Sequence, residues 1–253
     1  FPVGQLADIS NSGTLFAFFM VSLAVLILRV KEPNRKRPFR TIAPSCRIAF
    51  PCRCDMVRCL TGDSAMDALE LLKTRRSVPA AFLGPPGPDK AKLEEMLAIA
   101  SRVPDHGKLV PWRFLRIHGP ARQALGEVLV ARHLERDPAA PAAAVEKDRL
   151  RFSFAPLIVA VIGRLTPNHK VPEQEQLLSG GAVCFALLHA AQAQGFGAQW
   201  LTGWAAYDPA VRARLGLAEN ETVLGFIHIG TATEAVPERQ RPDPRTLLTD
   251  WIP

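Results

Sequence analysis

The spacing of apolar residues divides the chain into two unlike parts. Between positions 14 and 28 the run TLFAFFMVSLAVLIL carries no charge, and Arg29, Lys31, Arg35, Lys36, Arg37 and Arg40 follow it. Extended back to Ile9, the run reaches the roughly 20 residues of a membrane-spanning helix, and its basic flank would lie in the cytoplasm. Between 42 and 65 neither a period of 2 nor one of 3.6 survives, which predicts a linker without regular structure. From Met66 the patterning becomes orderly. It predicts helices over 68–76, 89–103, 121–134, 137–152, 176–193 and 209–215, and strands over 112–118, 155–163, 199–203 and 222–230. Asp67 is placed to cap the first helix with Leu69 and Leu72 inward, and Leu93, Met96, Leu97 and Ala100 form the apolar stripe of the second.

The most informative stretch is 172–204. Leu177, Gly181, Cys184, Leu187, Leu188 and Ala191 recur at helical spacing, while Ala182, Val183, Phe185, Ala186 and Ala190 fill the other faces. A helix apolar nearly all round is a buried one. Its small residues Ser179, Gly180, Gly181 and Ala182 would admit a second backbone closely, and Gly195 with Gly197 would end it. A core helix running into a core strand is one reading; a ledge for a planar ligand beside Trp200 is the other. The unbroken apolar run at 155–163 reads as a strand buried on both faces. Strands separated by helices place the domain in the α/β or α+β class, with a central sheet covered on both faces. The tail at 231–253, with Pro237, Pro242, Pro244 and Pro253, is expected to wrap over a neighbour without forming a regular element.

Charge sharpens the division. Residues 1–65 hold nine Lys/Arg against four Asp/Glu, so +5 of the formal +7 lies there and the remainder is nearly neutral. The high isoelectric point therefore gives the main domain no nucleic-acid surface. Cys46, Cys52, Cys54 and Cys59 are clustered without a C-x-x-C pair or a nearby histidine, so no metal site is expected; Cys184 stands alone on the apolar helix. Residues 66–253 contain no phosphate-binding P-loop, no G-x-G-x-x-G, no H-E-x-x-H and no G-x-S-x-G, which leaves chemistry carried by a cofactor, or none.

Two clusters remain as candidates. Arg75, Arg76 and Ser77 set two guanidinium forks and a hydroxyl at a helix end, either a phosphate grip or a solvated basic terminus. The loop containing Arg102, His106 and Lys108 is stiffened by Pro104 and Pro111. His118 and His228 lie in strand patterns and are expected to be satisfied or exposed, and no spacing supplies partners for His133, His169 or His189.

The pieces MDALELLKTRRS, SRVPDHGKLVPWRF, NHKVPEQEQLLSGGA, AQGFGAQWLTG and LGFIHIGT, in that order, make residues 66–253 resemble the nitroreductase family, in its minimal-length bacterial branch. Residues 1–41, ending in Arg37-Pro38-Phe39-Arg40 and Thr41, resemble a fragment of an amino acid permease of the polyamine and organocation type, with one possible span and no partner helices. The chain opens at Phe1, which is read as a fragment or fusion whose enzyme unit starts at Met66.

The nitroreductase resemblance implies an α+β sandwich with a central sheet flanked by helices, forming a homodimer with FMN at the dimer interface. It implies that Arg75, Arg76 and Ser77 grip the flavin phosphate and ribityl end, that Arg102 is a further contact, and that His106 reaches the flavin held mainly by the other subunit. Trp200, Leu201 and Thr202 would line the flavin, although the family commonly has a polar or basic residue where Leu201 stands. Ala190, Ala191, Gln192, Ala193, Gln194 and Gly195 would face the nicotinamide side. The implied activity is ping-pong transfer of a hydride from NADH or NADPH through FMN to a nitroaromatic, quinone or similar acceptor, with no catalytic side chain, in the cytoplasm. A flavin enone or quinone reductase with a non-nitro acceptor, or a membrane-tethered binding module using residues 9–28, are the alternatives.

Overall fold

The computed structural model describes residues 68–252, all within the second of two units, Phe1–Ser64 and Ala65–Pro253, into which the chain divides. The apolar segment, the linker and its cysteines, and the capping role of Asp67 lie outside the described residues.

Helices α1 (Ala68–Thr74) and α2 (Lys90–Ala100) flank a two-residue strand β1 (Leu83–Gly84). Strand β2 (Trp112–His118) leads into α3 (Pro120–Arg136) and α4 (Ala142–Leu150), followed by β3 (Leu157–Arg164). The long α5 (Glu173–Ala193), β4 (Gly197–Leu201), α6 (Pro209–Arg214) and β5 (Glu221–Ala232) complete the element order, and a single helical turn forms in the tail at Pro244–Thr246. The sequence pattern locates each of these but β1 and the turn in the tail, where no regular element was expected. Asp89 caps α2 by accepting from Lys92 N at 2.8 Å.

The sheet runs β1-β5-β3-β2 with β4 also on β5, and every pairing is antiparallel. The apolar run of β3 is explained by its two coverings. Leu157, Val159 and Val161 pack with Met96 of α2 and with Val183, Cys184 and Leu187 of α5. Ile158, Ala160 and Ile162 pack on the other face with Leu125 and Leu129 of α3, Phe152 and Phe226. Alternate strand residues point to opposite faces, so only a strand between two layers needs both sets apolar.

Helix α5 is long and apolar enough to cross a membrane by length and composition. Here it is the core helix: Val183, Cys184, Leu187 and Ala191 are fully buried against the sheet. Truncating a buried leucine such as Leu187 to alanine typically costs about 2–5 kcal/mol.

Several expectations are corrected. Leu69 and Leu72 of α1 are exposed, because that short helix lies outside the core. The close neighbour of the small-residue turn in α5 is a side chain: Leu224 fills the space where Gly180 would carry a Cβ, while Gly181 faces open space. The helix expected over 137–152 is shortened to α4 by Pro141, and it is not simply a solvent-side helix, since Asp148 and Phe152 are buried. His228 is neither satisfied nor exposed. It is fully buried, stacked 5.9 Å from Phe152, with neither ring nitrogen hydrogen-bonded among the described residues.

Candidate active site

The first cluster is positioned by hydrogen bonds from backbone N–H groups. After α1 the chain is laid beside the end of α5 and the start of β4: Arg76 N donates to Gln192 Oε1 at 3.3 Å, Val78 N to Ala198 O at 3.0 Å, and Ala80 N to Gln199 Oε1 at 2.6 Å. Arg75 and Ser77 are joined at 3.4 Å, and the Arg75 guanidinium lies 5.9 Å from the centre of the exposed Phe185 ring on α5.

The tail then returns to this corner. Thr233 N donates to Phe82 O at 2.9 Å, and further on the Arg76 guanidinium bonds Glu238 and the carbonyl of Pro237. Arg241 donates to Glu238 at 3.1 Å and to the carbonyl of Arg75 at 3.5 Å. Burial, and then the charges of Arg241, Arg76 and Arg239, hold Arg75 below the ordinary arginine value, with only Glu238 opposing them. Four guanidinium groups around one carboxylate form an electropositive corner whose repulsion a bound anion would offset. Arg239 and Arg241 were not singled out in the sequence. The paired arginines of Glu238-Arg239-Gln240-Arg241 were the available signal, but nothing local links them to a helix more than 160 positions earlier.

At the other end of β4, the Trp200 indole donates to Leu224 O at 3.1 Å and lies against Gly225, where a Cβ would come within 2.1 Å of Nε1. Leu201 and Thr202 are half-buried and run into a turn at Gly203, whose φ is +65°. That turn is braced from behind by a buried carboxylate the sequence did not reveal. Asp148 accepts from His133 Nδ1 at 2.6 Å, from Arg151 at 2.8 Å and from the Trp204 indole at 3.3 Å. Burial pushes the Asp148 carboxyl up, but these donors outweigh it and hold it below its usual range.

Of the six residues expected on the nicotinamide side, Ala190 and Ala191 are buried in the core. Gln192 is engaged with Arg76 N, Gln194 bonds Glu95 at 3.0 Å, and Gly195 forms the left-handed turn that ends α5. Only Ala193 and Gly195 are exposed.

The second cluster is a built loop. Asp105 accepts from Leu109 N at 3.1 Å and Val110 N at 2.9 Å, and Ser179 Oγ donates to Pro104 O at 2.9 Å. These bonds hold Lys108 and Val110 at φ of 54° and 48°, a region that costs a β-branched residue such as Val110 energy. His106 Nδ1 lies 2.6 Å from Glu175 Oε2, in a groove of about 310 Å³ lined also by Pro104, Leu178, Ser179 and Ala182. Arg102 is exposed just past the end of α2. Burial pushes the Cys184 thiol up to about 12, which removes it as a nucleophile.

Comparison with known proteins gives the family of the chain. The model of the nitroreductase family matches residues 72–231. The chain belongs to the nitroreductase family. It is 38% identical over 188 residues to a protein of Escherichia coli K12 named Putative NAD(P)H nitroreductase YdjA, covering 73% of this chain and 99% of the relative. It is 36% identical over 170 residues to a similarly named protein of Haemophilus influenzae, covering 67% of this chain and 90% of that one. Solved family structures share the fold. A nitroreductase-like family protein from Bacillus cereus superposes with a TM-score of 0.63 at 20% identity, over 74% of this chain and 97% of that one. The FMN- and NADPH-dependent nitroreductase NfnB from Sphigopyxis sp. strain HMH gives 0.59 at 20% identity, over 74% and 99%. The family is one of oxidoreductases, and its model spans Arg75, Arg76 and Ser77 and the loop of Arg102 and His106, ending before Glu238, Arg239 and Arg241.

Proposed function

We propose that this nitroreductase-family chain is an FMN-dependent NAD(P)H oxidoreductase that reduces nitroaromatic, quinone or similar acceptors, working as a homodimer with its cofactor at the subunit interface. The observation that carries the reading is the electropositive corner of Arg75, Arg76, Arg239 and Arg241, opposed by Glu238 alone and set beside the exposed ring of Phe185. Such a corner fits a phosphate monoester, because guanidinium forks bind phosphate oxygens in pairs. Trp200, Leu201 and Thr202 line the ring system, Trp200 by its indole and the others by the half-buried strand end. Arg102 adds a cation, and His106 completes the site of the second copy. FMN bound there supplies hydride transfer, taking two electrons from NAD(P)H and passing them to the acceptor. The protein holds the phosphate, orients the ring plane and excludes water.

The dimer is supported by apolar side chains left uncovered in one chain: Leu69 and Leu72 on α1, Leu178 and Phe185 on α5, and Leu247, Leu248, Trp251 and Ile252 in the tail. Uncovered apolar groups in this number mark a surface that another molecule buries. The test is the visible spectrum of the purified protein before and after anaerobic NADH. A flavin band that bleaches is expected, and Arg75→Ala is expected to lose the flavin on dialysis; a colourless wild type that FMN does not reconstitute overturns the reading.

A further inference from the structure

We infer that Glu238 is the resident anion of the arginine corner, a competitor that a phosphate monoester displaces and that selects for ligands carrying that group; the inference rests on the phosphate-binding role given to this corner above. Arg75 feels three neighbouring arginines here, and Glu238 is the carboxylate set against them.

The tail delivers that carboxylate in fixed steps. Thr233 N bonds Phe82 O at 2.9 Å just after β5, Val236 packs with Val78, Leu83 and Ala155, and Pro237 O then accepts from the Arg76 guanidinium. Glu238 Oε1 accepts from Arg76, from Arg241 at 3.1 Å and from Arg239 N at 2.9 Å. The Arg239 N–H first, and then the Arg76 and Arg241 guanidinium groups, hold the Glu238 carboxyl below its usual range, so it stands ionised at neutral pH. Guanidinium forks beside a backbone N–H are also the donors a phosphate oxygen takes.

The two partners differ in how firmly they are held. The Arg76 side chain is 18% exposed and that of Glu238 is 59% exposed, and the Arg76 backbone is tied to Gln192 at 3.3 Å. Arg76 is therefore a wall of the site, and the carboxylate is its removable occupant. An exposed ion pair contributes little stability, and a displaced carboxylate regains its water. A phosphate monoester brings three oxygens and about two negative charges where Glu238 brings one, so it offsets the repulsion among Arg75, Arg76, Arg239 and Arg241 more fully. A singly charged ligand has no such advantage over the carboxylate already in place.

The test is a pair of fluorescence titrations of the full chain freed of bound flavin, one with FMN and one with riboflavin, the same flavin without its phosphate. Glu238→Gln keeps the shape of the side chain and removes its charge. It is expected to bind FMN about five-fold more tightly, the scale of one exposed ion pair, with riboflavin affinity unchanged. Weaker FMN binding would make Glu238 a support for the arginines, and an equal change for both flavins would place its effect away from the phosphate; either result overturns the inference, as does unchanged FMN affinity. Inorganic phosphate gives a readout without flavin: it is expected to raise the melting temperature of Glu238→Gln more than that of wild type, and an equal rise in both also overturns the inference. A wild type that binds neither flavin, with the larger phosphate effect still present in Glu238→Gln, overturns the flavin reading and leaves the role of Glu238 standing.

Discussion

At the scale of single residues, the histidines show how context divides one side-chain type into separate roles. His133 satisfies a buried carboxylate, His106 pairs with an exposed one, and His228 is sealed between Phe152 and the sheet. Burial, helped by the positive charge of Arg151, pulls His228 down to about 4 from an ordinary 6.5. The consequence for stability has a definite sign. Between pH 6.5 and 4 the unfolded chain binds a proton at this position and the folded chain does not, so stability falls as the pH is lowered through that window. The span corresponds to on the order of 3 kcal/mol. His228→Leu is therefore expected to melt higher relative to wild type at pH 4.5 than at pH 7.5, by differential scanning calorimetry. An identical difference at both pH values would contradict this.

At the scale of elements, α3 and α4 form a hairpin whose closeness depends on one missing side chain. A Cβ at Gly126 would come within 2.2 Å of the backbone oxygen of Arg149, and backbone cannot swing aside as a side chain can. Gly126→Ala is expected to cost about 1–3 kcal/mol, seen as a lower denaturation midpoint with an unchanged slope. The hairpin matters beyond its own packing, since its Asp148 and Arg151 brace the turn at Gly203 that follows the proposed flavin-lining strand end. Flavin retention should weaken in the same variant. Long apolar elements were legible because burial writes itself into every residue of α5 and β3. The edges were less so: α1 was expected to face inward, and its leucines are exposed in the single chain.

At the scale of the whole molecule, the uncovered apolar residues support the proposed second copy. Leu178 is 65% exposed on a helix whose opposite face is the core. A charge placed there would remain in water in a monomer but be buried in a dimer, where an unpaired carboxylate costs several kcal/mol. Leu178→Glu is expected to sediment as a monomer, with secondary structure kept by circular dichroism and FMN lost. Wild type and variant sedimenting alike would remove α5 from the interface.

The sequence by itself determined the layers: the two-sided burial of β3, the core position of α5, and a rigid loop presenting His106. It could do so because periodicity reports which faces of an element leave water, and that is a local property. Only the tertiary structure decided the pairings. It brought Arg76 to Glu238 across 162 positions and His106 to Glu175 across 69, and it left His228 with no hydrogen-bond partner among the described residues. Hydrogen bonds and ion pairs act over a few ångströms, and those distances exist only once the sheet has gathered remote segments together.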